Sequence, residues 1–198
     1  MEEYAYVLDY LPNGPVSARG GRGEPIIYAV GESEFRLFTL VAKPGVNLVF
    51  DQRVYMGQDA AKRTEVDHVK SRIKYTELSA NAMNELPYAI EEIVRDNEAK
   101  FIRFYNVAQS LSLKKHALEE LPGMGKKTVE LIVEERMKKP FESFTDLGER
   151  VPAVKNPLKP IVERIVMEIS EDDHKHYLFV PRDSPRSGPR DSPRRGSR

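Results

Sequence analysis

The chain contains no cysteine and no tryptophan. Without cysteine there can be no disulfide, no thiolate metal ligand and no thiol nucleophile. No stretch reaches the ~18 consecutive apolar residues of a membrane span. The first residues, Met1-Glu2-Glu3-Tyr4, are acidic where a secretory signal is basic and then apolar, so a cytoplasmic location is expected. Net charge is missing as well, with 31 Lys+Arg against 31 Asp+Glu. The balance is uneven, however. Residues 181–198 hold six arginines against Asp183 and Asp191, a surplus of four, which leaves the rest of the chain at −4. Any polyanion would have to be met by local patches rather than by the whole body. Walker loops, dinucleotide fingerprints and Ser-His-Asp arrangements are absent too.

The densest signal present is Leu121-Pro122-Gly123-Met124-Gly125-Lys126-Lys127. Upstream, Leu113, Ala117, Leu118 and Leu121 recur at helical spacing, with Ser112 placed as an N-cap. Downstream, Val129, Ile132, Val133 and Met137 predict a second helix to about Lys138. The glycines permit a tight turn and leave the first amides of that helix bare, where its dipole favours an anion. Lys126 and Lys127 add positive charge at the same spot.

This stretch resembles the helix-hairpin-helix family, whose pattern is an apolar residue, Pro-Gly, an apolar residue, Gly, then a helix with a small or β-branched residue soon after. Met124 and Thr128-Val129 fill those last positions. The resemblance implies backbone contact with nucleic acid without sequence reading, through Pro122, Gly123, Met124, Gly125, Lys126, Lys127 and Thr128. The segment 140–147 resembles the connector between tandem copies, with Thr145 able to cap a short helix at about 146–150. A bend at 151–156 and a helix from Pro157 to Ile169, striped by Leu158, Ile161, Ile165 and Ile169, complete a second pair. That second bend lacks both glycines and is expected to pack rather than to hold phosphate.

The N-terminal third has the period of strands. Tyr4, Tyr6, Leu8 and Tyr10 alternate with their neighbours up to the turn at Pro12-Asn13-Gly14-Pro15, and residues 26–30, 34–41 and 46–55 give further strands. About five short strands without helices predict a small antiparallel OB-like β-barrel. Its long first loop carries Arg19-Gly20-Gly21-Arg22-Gly23, and Arg19 and Arg22 are candidate nucleic-acid contacts. Tyr4, Tyr6, Tyr28, Phe35 and Phe38 are either stacking platforms for unpaired bases or core residues; for any single ring the core is the commoner fate. Lys62 and Arg63 open a basic run that continues through Lys70, Arg72 and Lys74.

Helical segments are predicted from Thr76 to about Glu85 and from Pro87 to Asp96, broken at Leu86-Pro87, with a third helix capped by Asn97. The resulting fold class is α+β: a barrel over 1–60, a helical connector over 61–110, an all-helical tandem module over 111–170 and a possible returning strand over 171–180. The tail, 181–198, repeats Pro-Arg-Asp-Ser-Pro-Arg, has no apolar residue after Val180 and is expected to be disordered. The whole arrangement resembles an archaeal family of uncharacterised, predicted RNA-binding proteins that join an OB- or S1-like barrel to a helix-hairpin-helix module, over about residues 1–180. That resemblance attaches no catalysis.

Competing chemistry is thin. DNA glycosylases with lyase activity place a lysine just past the second hairpin glycine and an aspartate some twenty residues on, as Lys127 and Asp146 do here. Yet Asp146 opens a helix, no pocket-walling helices are present, and Lys127 has a lysine neighbour and no sign of desolvation. Glu171, Asp172, Asp173, His174 and His176 cluster without a third ordered ligand beside the histidines, so no metal and no other cofactor is expected. The expected protein is a non-enzymatic, monomeric nucleic-acid binder without membrane or small-molecule partners, RNA favoured. A DNA-binding protein of repair or replication type, or a protein-interaction module, are the alternatives.

Overall fold

The structure is a computed structural model that describes residues 2–14, 23–171 and 173–182. Arg19, Arg22 and residues 183–198 lie outside the described set. The first half is a five-stranded antiparallel sheet built from β1 (Tyr4–Leu11), β2 (Ile26–Gly31), β3 (Leu37–Ala42), β4 (Arg53–Tyr55) and β5 (Val66–Ile73), in the order β4-β1-β2-β3-β5. It curls into a half-barrel. One face closes on itself around Val7, Ile27, Ala29, Leu40, Val54 and Val66. The other face, with Tyr6, Leu8, Val30 and Leu37, belongs to a larger core that continues without interruption into the helices. Strands buried on both faces need apolar residues at successive positions, and the run Ile26-Ile27-Tyr28-Ala29-Val30 in β2 supplies them.

The helices are α1 (Ala80–Asp96), α2 (Glu98–Val107), α3 (Lys126–Lys138), α4 (Phe144–Arg150) and α5 (Leu158–Ser170). Between α2 and α3 lie a two-stranded ribbon, β6 (Ser110–Ser112) with β7 (Lys115–His116), and a 3-10 turn at Ala117–Glu120. α1 is fixed to the sheet at its first turn. A bulge in β1 between Val7 and Asp9 turns the Asp9 carboxylate inward, where it accepts from the Ser79 hydroxyl (2.5 Å). Ser79 in turn accepts from the Ala82 amide (3.0 Å), capping the helix.

Several expectations change. The barrel does not end at 60, because β5 extends it to Ile73. β5 was hidden by its apolar residues, Val66, Val69 and Ile73, which stand three and four apart as in a helix. Two register irregularities against β3 break the alternation that would have revealed a strand. α1 runs unbroken through Pro87. Its buried stripe of Ala82, Leu86, Ala89, Ile90, Ile93 and Val94 outweighs the ~3 kcal/mol a proline costs inside a helix. Asn97 does not cap α2 with its side chain; its amide instead donates to the Ile93 carbonyl (2.9 Å), closing α1.

The helix expected before the bend at 122–125 is replaced by the ribbon and the 3-10 turn. Ser112 accepts from the Lys114 amide (3.3 Å) inside the ribbon turn, and Leu113 points fully into solvent. α4 is capped by Ser143 rather than Thr145: Ser143 Oγ accepts from the Asp146 amide (3.0 Å). Residues 177–180 pair with no strand among the described residues; their backbone is held by a side chain, as set out below.

Candidate nucleic-acid interface

Leu121 and Met124 are buried and Pro122 is half-buried, so the bend that begins the interface is anchored at both ends. The Met124 amide donates to the Leu121 carbonyl (3.1 Å), closing a tight turn. Gly123 sits at φ +77°, a conformation that side chains rarely adopt. Gly125 is the N-cap of α3 at an ordinary φ of −79° and carries no side chain to satisfy the helix. The first helical amide with an internal partner is Val129, which donates to the Gly125 carbonyl (3.0 Å). The amides of Lys126, Lys127 and Thr128 have no partner among the described residues. A Cβ added at Gly123 or Gly125 would meet nothing within 4 Å, so the space in front of these amides is open. The Lys126 and Lys127 side chains are exposed and make no ion pair among the described residues; Thr128 is half-buried. The site is thus a bare positive helix end with two exposed cations beside it.

The second bend repeats the first with different termini. Val151 and Val154 are buried, and the Val154 amide donates to the Val151 carbonyl (2.8 Å), as Met124 does to Leu121. The sequences align as Leu121-Pro122-Gly123-Met124-Gly125 and Val151-Pro152-Ala153-Val154-Lys155. Here, though, Asn156 Oδ1 accepts from the amides of Leu158 (3.2 Å) and Lys159 (3.4 Å). The helix end that is bare in the first bend is satisfied in the second.

A buried ionic cluster ties α5 to the segment ahead of the first bend from behind. Arg164, on α5, reaches the Glu120 carbonyl (3.3 Å) and carboxylate (3.5 Å), just ahead of the first bend. Its Nε donates to Glu168 (2.8 Å), and it also donates to the His176 carbonyl. Glu168, itself buried, accepts from the amides of Leu178 (2.7 Å), Phe179 (3.0 Å) and Val180 (2.9 Å). Lys115 completes the cluster on Glu120 (2.7 Å). Upstream of the bend, His116 Nδ1 accepts from the Leu118 amide (3.1 Å), and burial together with the nearby Arg136 guanidinium lowers its pKa. None of Asn156, Arg164, Glu168 or His116 stood out in the sequence. The i,i+4 pair Arg164/Glu168 on the striped face of α5 was the one available sign.

The remaining candidates do not join this site. Lys62 pairs with Asp59 (3.6 Å) and lies 5.9 Å from the Tyr55 ring centre. Arg63 is spent on the carbonyls of Gly57 and Asp67 (2.8 Å each), so it braces the entry to β5. Neither shares a hydrogen bond, ion pair or ring contact with the first bend among the described residues. Of the five rings, Tyr6 and Phe35 are core, and Tyr4 is covered by the Arg53 guanidinium at 3.5 Å. Tyr28 and Phe38 are half-buried against the two cores. Asp146 accepts from the Glu142 amide (3.0 Å) and meets Arg150 (3.3 Å), which lowers its pKa and commits it to structure. Among the described residues no three potential metal-ligating side chains converge, and no helix is long and apolar enough to cross a membrane.

The architecture defines a class: a curled five-stranded half-barrel backed by helices, with two related bends of which one presents a bare helix end. The chain belongs to the DUF655 family, described as proteins of unknown function, which it matches over residues 1–181. An uncharacterized protein of Methanocaldococcus jannaschii is 43% identical over 181 residues, covering 91% of this chain and 80% of that one. The crystal structure of a DUF655 protein from Archaeoglobus fulgidus shares the fold with a TM-score of 0.84 and 41% identity, over 91% of this chain and 100% of that one.

Proposed function

We propose that this protein binds nucleic acid, RNA in preference to DNA, by gripping the phosphate backbone without reading sequence. The observation that carries the proposal is the bare N-terminus of α3. Three amides and two lysines without partners among the described residues, with an open approach in front of Gly125, make a site suited to a phosphate oxygen. The tight Leu121–Met124 turn and the half-barrel architecture support a helix-hairpin-helix and OB-like origin. RNA is favoured because such barrels commonly serve single strands and because of the Arg-Gly run at 19–23. No catalytic role is proposed.

The test is a fluorescence-anisotropy titration against single-stranded RNA, duplex RNA and duplex DNA at several salt concentrations, with the full chain and with a chain lacking 183–198. Binding that survives removal of 183–198, with log K falling against log salt at a slope of about −2 to −4, supports the reading. A preference for duplex DNA moves the function to the repair or replication type. Affinity lost with residues 183–198, or absent throughout, removes the bend from the account and favours a protein-interaction role.

A further inference from the structure

α3 turns a second face away from the proposed phosphate site, the two sharing Lys126 in its first turn. With the β6–β7 ribbon it encloses an open groove of about 660 Å³, lined by Leu113, Val129, Val133 and Met137 and flanked by charged residues of both walls. Leu113 at the ribbon turn is 108% exposed and Met137 is 81% exposed, so two large apolar side chains stand uncovered on one face. The ribbon wall carries Lys114 and the helix wall carries Glu130, and neither makes an ion pair among the described residues. Of the other flanking charges, Lys115 pairs with Glu120 (2.7 Å), Glu134 pairs with Lys138 (3.5 Å), Glu119 accepts from the His116 amide (2.8 Å), and Lys126 makes no ion pair among the described residues.

We infer that this groove is the contact between two copies of the chain. The face is self-complementary, which is what a two-fold interface demands. It holds an apolar knob, Leu113, and an apolar hollow between Val129, Val133 and Met137. It also holds an unpaired cation beside the knob and an unpaired anion beside the hollow. Seating Leu113 of one copy in the hollow of the other brings Lys114 alongside Glu130, twice over by symmetry. The other occupants fit less well. The groove's lysines, Lys114, Lys115 and Lys126, are matched by Glu119, Glu130 and Glu134, so it offers a nucleic-acid strand no net positive charge. The chain's own residues 183–198 contain nothing apolar to fill the hollow. The thirteen lining residues are about half the ~20–30 a side of a standard interface, so the dimer is weak and concentration-dependent.

Sedimentation velocity and light scattering on the full chain, from low concentration to about 200 µM, read the outcome directly. A monomer–dimer equilibrium is expected, abolished by Leu113→Asp. Lys114→Glu and Glu130→Lys should each weaken it several-fold, and the double exchange should restore it. These positions are exposed, and circular dichroism checks that each variant folds. A chain that stays monomeric throughout, a dimer indifferent to Leu113→Asp, or a double exchange that fails to restore the dimer would each overturn the inference. Lys126 borders both sites, and the three variants leave it unchanged: loss of RNA affinity with the dimer intact counts against the α3 terminus alone, and a monomer that binds RNA counts against the groove alone.

Discussion

The two bends of the helical half share one turn and differ in what finishes the helix behind it. In the first, Gly125 leaves the amides of Lys126, Lys127 and Thr128 open. In the second, Asn156 folds its side chain over the amides of Leu158 and Lys159. The carbonyl of Pro157 is taken up as well, accepting from the buried Tyr105 hydroxyl (2.7 Å). A capped helix end is a finished piece of structure, whereas an uncapped one at the surface leaves polar groups for an outside partner. One pattern, used twice, thus yields one terminus that serves the fold and one that faces outward. Asn156, together with Pro157 and Pro160, which carry no N–H, separates the two outcomes.

That contrast can be broken at several points. The largest effect is expected at Glu168, whose carboxylate serves Arg164 and three backbone amides in a dry environment and so holds α5 against the first bend. Glu168→Gln should cost about 3 kcal/mol, read from chemical denaturation, because the buried Arg164 loses its nearer charge partner (2.8 Å) and keeps only the longer contact to Glu120 (3.5 Å). At the first bend, Gly125→Asp converts the open end into a capped one. The backbone there is ordinary and the space is empty, so the protein should stay as stable or gain up to ~1 kcal/mol. RNA affinity should fall more than tenfold, and Lys126→Ala with Lys127→Ala should reduce the salt slope by about two. Unchanged affinity in both variants would mean that the bare end is not the binding site.

The second bend should respond in stability alone. Asn156→Ala is expected to cost about 1 kcal/mol and Asn156→Gly only a few tenths, neither weakening RNA binding. The smallest effect concerns pH. His116 accepts from the Leu118 amide and is therefore neutral in the folded chain, with a pKa below its ordinary 6.5. The unfolded chain takes up the proton more readily, so the stability His116 adds is complete above about pH 6.5 and is lost as pH falls below it. His116→Asn should flatten the decline of the melting midpoint between about pH 7 and 5.5. An unaltered slope would assign that decline to other groups.

Much of this contrast could be read in the sequence, because glycine spacing and lysine placement are local. The bend at 121–125, the end of α3 at Lys138 and the bounds of α5 all follow from residues within a turn or two of one another. What escaped depends on distant partners. β5 is a strand because β3 lies beside it, at a register that period-two counting cannot see. α1 survives Pro87 because the sheet and α5 bury its other face. The ribbon at 110–116 replaced a helix because Ser112 and His116 bind nearby amides in ways their spacing does not announce. Arg164 and Glu168 looked like surface charges until Glu120, His176 and residues 178–180 were brought to them.

The three amides that converge on Glu168 also set an order of events. They belong to Leu178, Phe179 and Val180, the latest of the described residues to donate backbone hydrogen bonds to the helical core. A chain emerging from a ribosome can pair the strands of the half-barrel before this point, but Glu168 lacks these three donors until residue 180 has cleared the exit. Until then Glu168 has to remain hydrated, and α5 has no reason to settle behind the first bend. Strand pairing therefore precedes the settling of α5, and the outward-facing bend gains its support from behind only afterwards.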